Sequence, residues 1–252
     1  NRTMKTDKFV LVTGASSGIG REISILLSAN YNVILCGRNL EKLAETKKAC
    51  FTKNRSIILE MDLFDISSIE SSTSAFIKKN DLTVSNFVHS AGFIKMVPLK
   101  SLSIENLNQI FNINVISSAL LAKVLVKKKV NGSALNSIIF VSSNISNRGA
   151  KAMAAYGASK GAVDSLMRCL AVELAPKVRV NSILPGAVHT EMTEGIFAND
   201  EVVNRMKSSY PLGLGSTKDI ANTVEFLISE KARWNTGQQL TVDGGRTIDI
   251  SG

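Results

Sequence analysis

The sequence predicts one α/β domain, doubly wound around a parallel sheet of about seven strands, and three observations predict it. Short apolar runs alternate with helical stretches from one end of the chain to the other. The runs are apolar on both faces, as in strands buried between two layers of helices. A glycine-rich turn stands directly between the first run and the first helical stretch.

The runs come in order. Phe9-Val10-Leu11-Val12, Asn32-Val33-Ile34-Leu35, Ser56-Ile57-Ile58-Leu59 and Asn86-Phe87-Val88 supply the first four. Ser137-Ile138-Ile139-Phe140-Val141, Val178-Arg179-Val180-Asn181 and Gln239-Leu240-Thr241-Val242 supply the rest. Between them the spacing predicts helices at about 19–29, 40–53, 66–79, 104–128, 156–175 and 217–229. Parallel neighbours need crossover connections, so this β-α-β-α order predicts a Rossmann-type fold. The chain has 252 residues and four prolines, with no Gly/Ser-rich linker, and is read as one domain over 1–252. The least regular stretch, 186–216, follows a strand, where open α/β sheets handle substrate.

Composition narrows the class. Hydrophobic residues make up 44% and aromatic residues 6%, which suits an aliphatic core and argues against disorder. No run approaches the roughly 18–20 uncharged apolar residues that span a bilayer, so no membrane is expected. Asn1-Arg2-Thr3-Met4 leads almost at once into the first strand without a signal-peptide layout, and the expected location is cytoplasmic. Cys36, Cys50 and Cys169 form no CxxC pair and are expected to be reduced. With two histidines, neither a His-based metal site nor a Ser-His-Asp triad is expected. The net charge of +9 is spread along the chain without a nucleic-acid motif, so nucleic acid is not an expected partner.

Thr13-Gly14-Ala15-Ser16-Ser17-Gly18-Ile19-Gly20 follows the first strand and opens the first helix. Its glycines allow a tight turn and close approach of the backbone to a pyrophosphate, while the helix N-terminus offers N–H groups and partial positive charge. The next strand ends Cys36-Gly37-Arg38-Asn39, with no acid before Glu41. An acid here would hold a ribose 2′-hydroxyl, whereas the fork of Arg38 suits a 2′-phosphate. That favours NADP(H); Arg38 as an ordinary solvated residue is the alternative. Asp62 could accept a bond from an adenine amino group or cap the following helix near Ile66.

Tyr156 and Lys160 are spaced to share one helix face. A phenol exchanges protons poorly at neutral pH, and a nearby ammonium lowers its pKa, so the pair suits a general acid for a carbonyl. Such pairs also occur on solvated helices. Ser143 ends a strand thirteen residues earlier, where a hydroxyl could bond a developing oxyanion or cap a turn.

Together these motifs resemble the short-chain dehydrogenase/reductase family over nearly the whole chain. TGxxxGxG at 13–20, YxxxK at 156–160 and the serine thirteen before the tyrosine match it. So do Asn114 in Asn112-Ile113-Asn114-Val115, Asn181 with Pro185-Gly186, and Asp243-Gly244-Gly245. The resemblance implies Tyr156 as acid/base, Lys160 on the nicotinamide ribose and lowering the tyrosine's pKa, and Ser143 polarising the carbonyl. It implies Asn114 holding a water that links Lys160 to solvent. It places Gly14, Ser16, Ser17, Gly18, Ile19 and Gly20 along pyrophosphate and ribose, and Asp62 and Leu63 at the adenine. Ala91 and Gly92 would approach the ribose, and Val188 and Thr190 after Pro185-Gly186 would fix the carboxamide. One departure is His89-Ser90-Ala91-Gly92 where the family has Asn-Asn-Ala-Gly. His89 is expected to replace hydrogen bonds there, since the acid role is filled.

Pro185 to Thr193, Pro211-Leu212-Gly213 and Ile220-Ala221-Asn222 resemble the 3-oxoacyl-[acyl-carrier-protein] reductase type, though reductases of sugars, polyols and other ketones share them. The usual arginine in the loop before 217 is absent, with Gly213-Leu214-Gly215 in its place. Lys127 to Lys129 with Lys177 could dock an acidic acyl carrier protein or merely solubilise the surface. The expected substrate is a small or carrier-bound carbonyl, and the family's helix pairing implies a homotetramer built on the helices at 104–128 and 156–175. A nucleotide-binding regulator that has lost catalysis is the competing class, but such proteins often lose the Tyr or Lys present here.

Overall fold

The computed structural model describes residues 7–249; residues 1–4, read above for targeting signals, lie outside them. The strands are β1 (Asp7–Thr13), β2 (Asn32–Gly37), β3 (Ser56–Glu60), β4 (Leu82–His89), β5 (Ser137–Val141), β6 (Arg179–Pro185) and β7 (Gln239–Val242). Each pairs in parallel with its neighbours in the order β3-β2-β1-β4-β5-β6-β7. The doubly wound parallel sheet is therefore the one the sequence predicts.

Helices cover both faces: α1 (Gly18–Ser28), α2 (Leu40–Ala49), α3 (Ile69–Asn80), α4 (Ile104–Phe111), α5 (Ser117–Val126), α6 (Lys128–Asn131), α7 (Ala154–Leu174), α8 (Glu194–Phe197), α9 (Asp200–Ser208) and α10 (Thr217–Ile228). Alternation along β1 shows why. Phe9 and Leu11 enter one apolar cluster with Leu121 of α5 and Val163 and Met167 of α7. Val10 and Val12 enter the other with Ile23 and Leu27 of α1 and Val224 of α10. A strand buried on both faces has no polar side to show, hence the unbroken apolar runs.

The winding reverses between β1 and β4, which lie side by side while their chains leave toward opposite edges of the sheet. A crevice opens beyond the carboxyl ends of the strands at such a switch. Several boundaries differ from expectation. Strands β4 and β6 run longer than their apolar runs, because Leu82–Ser85 and Ser182–Pro185 complete the ladder. The helix expected over 104–128 contains a π-turn at Asn112–Ile116 that separates α4 from α5. The irregular stretch 186–216 carries α8 and α9.

Candidate active site

The turn after β1 is shaped by two contacts that only glycine permits. Gly14 has φ of 68°, and a Cβ there would lie 2.9 Å from Ala91 Cα. At Gly20 it would lie 2.2 Å from the Gly14 carbonyl oxygen. Ser17 precedes α1 in an extended conformation without a side-chain cap, and the first turn carries no acid. The N-terminal N–H groups of α1 are thus not capped by a side chain, at the positive end of the helix dipole.

A cavity of about 250 Å³ lies against this turn. Gly14, Ser16, Ser17, Gly18, Ile19 and Gly20 form one wall. Arg38 closes it at the end of β2, Asp62 and Leu63 after β3, and Ala91 and Gly92 after β4. The Arg38 guanidinium stacks 5.4 Å from the centroid of Phe64, which itself packs edge-on against Phe93. Asp62 Oδ1 accepts from the Phe64 N–H at 3.0 Å, while Ser68 stands at the N-cap of α3, so Asp62 caps a turn rather than that helix. Lys42 of α2 reaches Glu191 at 2.5 Å, tying the adenine side to the loop after β6.

A second cavity of about 100 Å³ shares Ile19, Gly92 and Thr190 with the first and holds Ser143, Tyr156 and Lys160. Pro185, Gly186 and Val188 line it from the end of β6. Tyr156 sits in the first turn of α7 and is buried. Burial pushes its phenol up to about 12, opposed by a hydrogen bond from the Ser143 hydroxyl. The Lys160 ammonium lies 5.7 Å from the Tyr156 ring centroid and donates to the Val141 carbonyl at 2.9 Å. Burial lowers Lys160 to about 8, and the Asp164 charge opposes that.

Asn114 lies in the π-turn, fully buried. Its Oδ1 accepts from the Phe93 N–H at 2.7 Å, and its Nδ2 donates to the Phe93 carbonyl and to Ser159 Oγ at 3.1 and 2.9 Å. Both amide hydrogens are thereby committed, so a water between Asn114 and Lys160 would have to donate to it. Asn114 Oδ1 and Lys160 Nζ both come within 3.6 Å of where a Cβ on Gly92 would stand. The π-turn serves this placement, since such insertions re-aim side chains at functional sites.

The short-chain family resemblance can now be tested over the whole chain. The family model described as Enoyl-(Acyl carrier protein) reductase matches residues 14–247. The chain belongs to the short-chain dehydrogenase/reductase family. It is 32% identical to L-xylulose reductase of Caenorhabditis elegans, over 95% of this chain and 96% of that one. It is 30% identical to the 3-oxoacyl-[acyl-carrier-protein] reductase FabG of Buchnera aphidicola, covering 95% and 97%. Among solved structures, 4-hydroxyisoleucine dehydrogenase complexed with NADH superposes with a TM-score of 0.88 at 28% identity, covering 96% and 100%. An actinorhodin polyketide ketoreductase with NADPH gives 0.87 at 25%, covering 96% and 97%.

A nicotinamide dinucleotide fits this short-chain dehydrogenase/reductase. The uncapped helix end and the backbone cradle at Gly14 and Gly20 suit a pyrophosphate, and the cavity continues from Arg38 to Tyr156. The two cavities together hold each predicted catalytic and cofactor-binding residue other than Asn114, which reaches the cleft beside Gly92. Sequence reading gave no role to Ser90, Phe93 or Met192, which also line the first cavity. It also missed that Asp243 bonds Asn144 Nδ2 at 3.3 Å and the Thr247 N–H at 2.8 Å, so the late Asp-Gly-Gly braces the residue after Ser143.

Lys127 pairs with Glu70 at 2.8 Å rather than standing free. Lys128 and Lys129 in α6 and Lys177 precede β5 and β6, at the amino ends of strands whose carboxyl ends carry the cleft. A carrier docked on them would face the wrong end of the sheet. The helical stretch Ile104–Val126 is long and apolar enough by length and composition alone to cross a bilayer, and half of it is buried within the protein.

Proposed function

We propose that the protein is an NADP(H)-dependent oxidoreductase that reduces a ketone to a secondary alcohol, with Tyr156 as general acid. The observation that carries this reading is the single cavity that holds Ser143, Tyr156 and Lys160 together and shares Ile19, Gly92 and Thr190 with the nucleotide cavity. Gly14, Ser16, Ser17 and the N-terminus of α1 would hold the pyrophosphate, Asp62 and Leu63 the adenine, and Val188 and Thr190 the carboxamide. When bound, the reduced nicotinamide supplies hydride to the carbonyl carbon. Ser143 donates a hydrogen bond to the substrate oxygen as charge develops there. Tyr156 gives its proton to the same oxygen. Lys160 would bind the ribose, and a water held by Asn114 would link Lys160 to solvent so that the tyrosine is reprotonated.

Arg38 supports the choice of NADP(H). Its guanidinium lies over the Phe64 ring at the adenine end of the cavity, and the end of β2, Cys36-Gly37-Arg38-Asn39, carries no acid to repel a 2′-phosphate. The FabG relative and the Pro185–Thr193 motif support a 3-oxoacyl thioester as substrate, and the L-xylulose reductase relative supports a small polyol-derived ketone. Exposed Val172 on α7 and Ile104 on α4 support assembly of the proposed homotetramer through these helices. NADPH and NADH consumption against acyl thioesters, sugars and simple ketones tests the reading. Turnover of one class with preference for NADPH is expected; no turnover of any ketone with either cofactor would overturn it.

A further inference from the structure

We propose that Asp164 is a positioning residue that keeps the Lys160 ammonium charged inside the closed site. The inference rests on the reductase reading only for what that charge accomplishes. Asp164 follows Lys160 by four residues on α7, so the two side chains lie on one face of the helix, a turn apart. Both are buried, at 1% and 4% exposure. Neither oxygen of the Asp164 carboxylate has a hydrogen-bond partner.

A buried carboxylate without donors is costly, and an amide or hydroxyl of similar size would avoid much of that cost. The use visible in the structure is its field. Burial alone drives Lys160 toward its neutral form, and Asp164 is the acid that opposes this among the described residues. The other groups around the ammonium carry no negative charge. From β5 comes the Val141 carbonyl, from α7 the un-ionised Tyr156, and from the π-turn the amide of Asn114. From β4 comes His89, which burial holds neutral and which itself senses the Lys160 charge. Without Asp164 the ammonium would have dipoles around it but no counter-charge.

A neutral Lys160 would lose the charged bond to a ribose and the proton it passes toward Tyr156. Asp164 therefore acts through Lys160, without touching cofactor or substrate.

The test follows Lys160 Nζ by NMR in lysine-labelled protein across a pH titration, for the native chain, Asp164→Asn, Asp164→Ser and Asp164→Glu. The two uncharged variants should lower the Lys160 titration midpoint by about one pH unit, a tenfold change in the charged ratio at fixed pH. Asp164→Glu should restore it. The basic limb of kcat/KM for NADPH should move to lower pH in step, while thermal stability stays level or rises. An unmoved Lys160 midpoint in whichever uncharged variant folds would overturn the proposal, as would lost stability with an unmoved limb. The NMR titration requires no turnover, so it decides the role of Asp164 even if the native chain reduces no ketone.

Discussion

His89 Nδ1 stands 3.0 Å from Thr13 Oγ1, and the other end of the ring fixes the direction of that bond. Nε2 lies 3.2 Å from the Ile113 carbonyl, which can only accept, so the proton is on Nε2 and Nδ1 accepts from the Thr13 hydroxyl. The Ala91 N–H donates to the same hydroxyl oxygen at 3.1 Å. One neutral tautomer thus joins the end of β1, the turn after β4 and the residue before Asn114. This is how His89 replaces the asparagine that the family places here.

That arrangement predicts an acid sensitivity. Burial, aided by the Lys160 charge, depresses His89 from 6.5 to about 3. Between those values the unfolded chain binds a proton that the folded chain refuses, so stability is full above about 6.5 and falls as pH drops toward 3. Urea midpoints measured against pH should show this loss. In His89→Asn, which cannot titrate, the slope over the same window should be shallower; parallel slopes would contradict the assignment.

Gly20→Ala should abolish dinucleotide binding while leaving a folded sheet. The added methyl would sit 2.2 Å from the Gly14 carbonyl oxygen, so the backbone of the Thr13–Gly14 turn would have to shift. Cofactor affinity by fluorescence titration should fall by at least about tenfold, with little change in far-ultraviolet circular dichroism.

Arg38→Ala should raise KM for NADPH by roughly 10–100-fold, the loss of a charge-assisted bond to phosphate. KM for NADH should change far less. Equal effects on the two cofactors would show that Arg38 serves the adenine through its stack on Phe64 rather than the 2′-phosphate.

Much of this was legible before the structure, for a physical reason. Strands buried on both faces must be apolar throughout, and a backbone cradle around phosphate must use glycine, so β1 and Gly14–Gly20 declare themselves in one dimension. Tyr156 and Lys160 are legible because a helix sets their spacing. Phe64 under Arg38, Met192 over the cleft and the Asp243–Asn144 brace depend on loops meeting across the fold, which spacing does not encode. The π-turn at Asn112–Ile116 carries no glycine or proline to mark it within the stretch 104–128. Asp164 escaped because an acid within a helix reads as a solvated residue until its burial is known.

Whether Tyr156 supplies the proton to a ketone oxygen can be read from a single pair of proteins. NADPH oxidation is followed with the best ketone substrate for the native chain and for Tyr156→Phe, with cofactor affinity measured alongside. The account predicts a fall in kcat of about 100-fold or more, with NADPH affinity nearly unchanged. Near-normal turnover in the phenylalanine protein would contradict it.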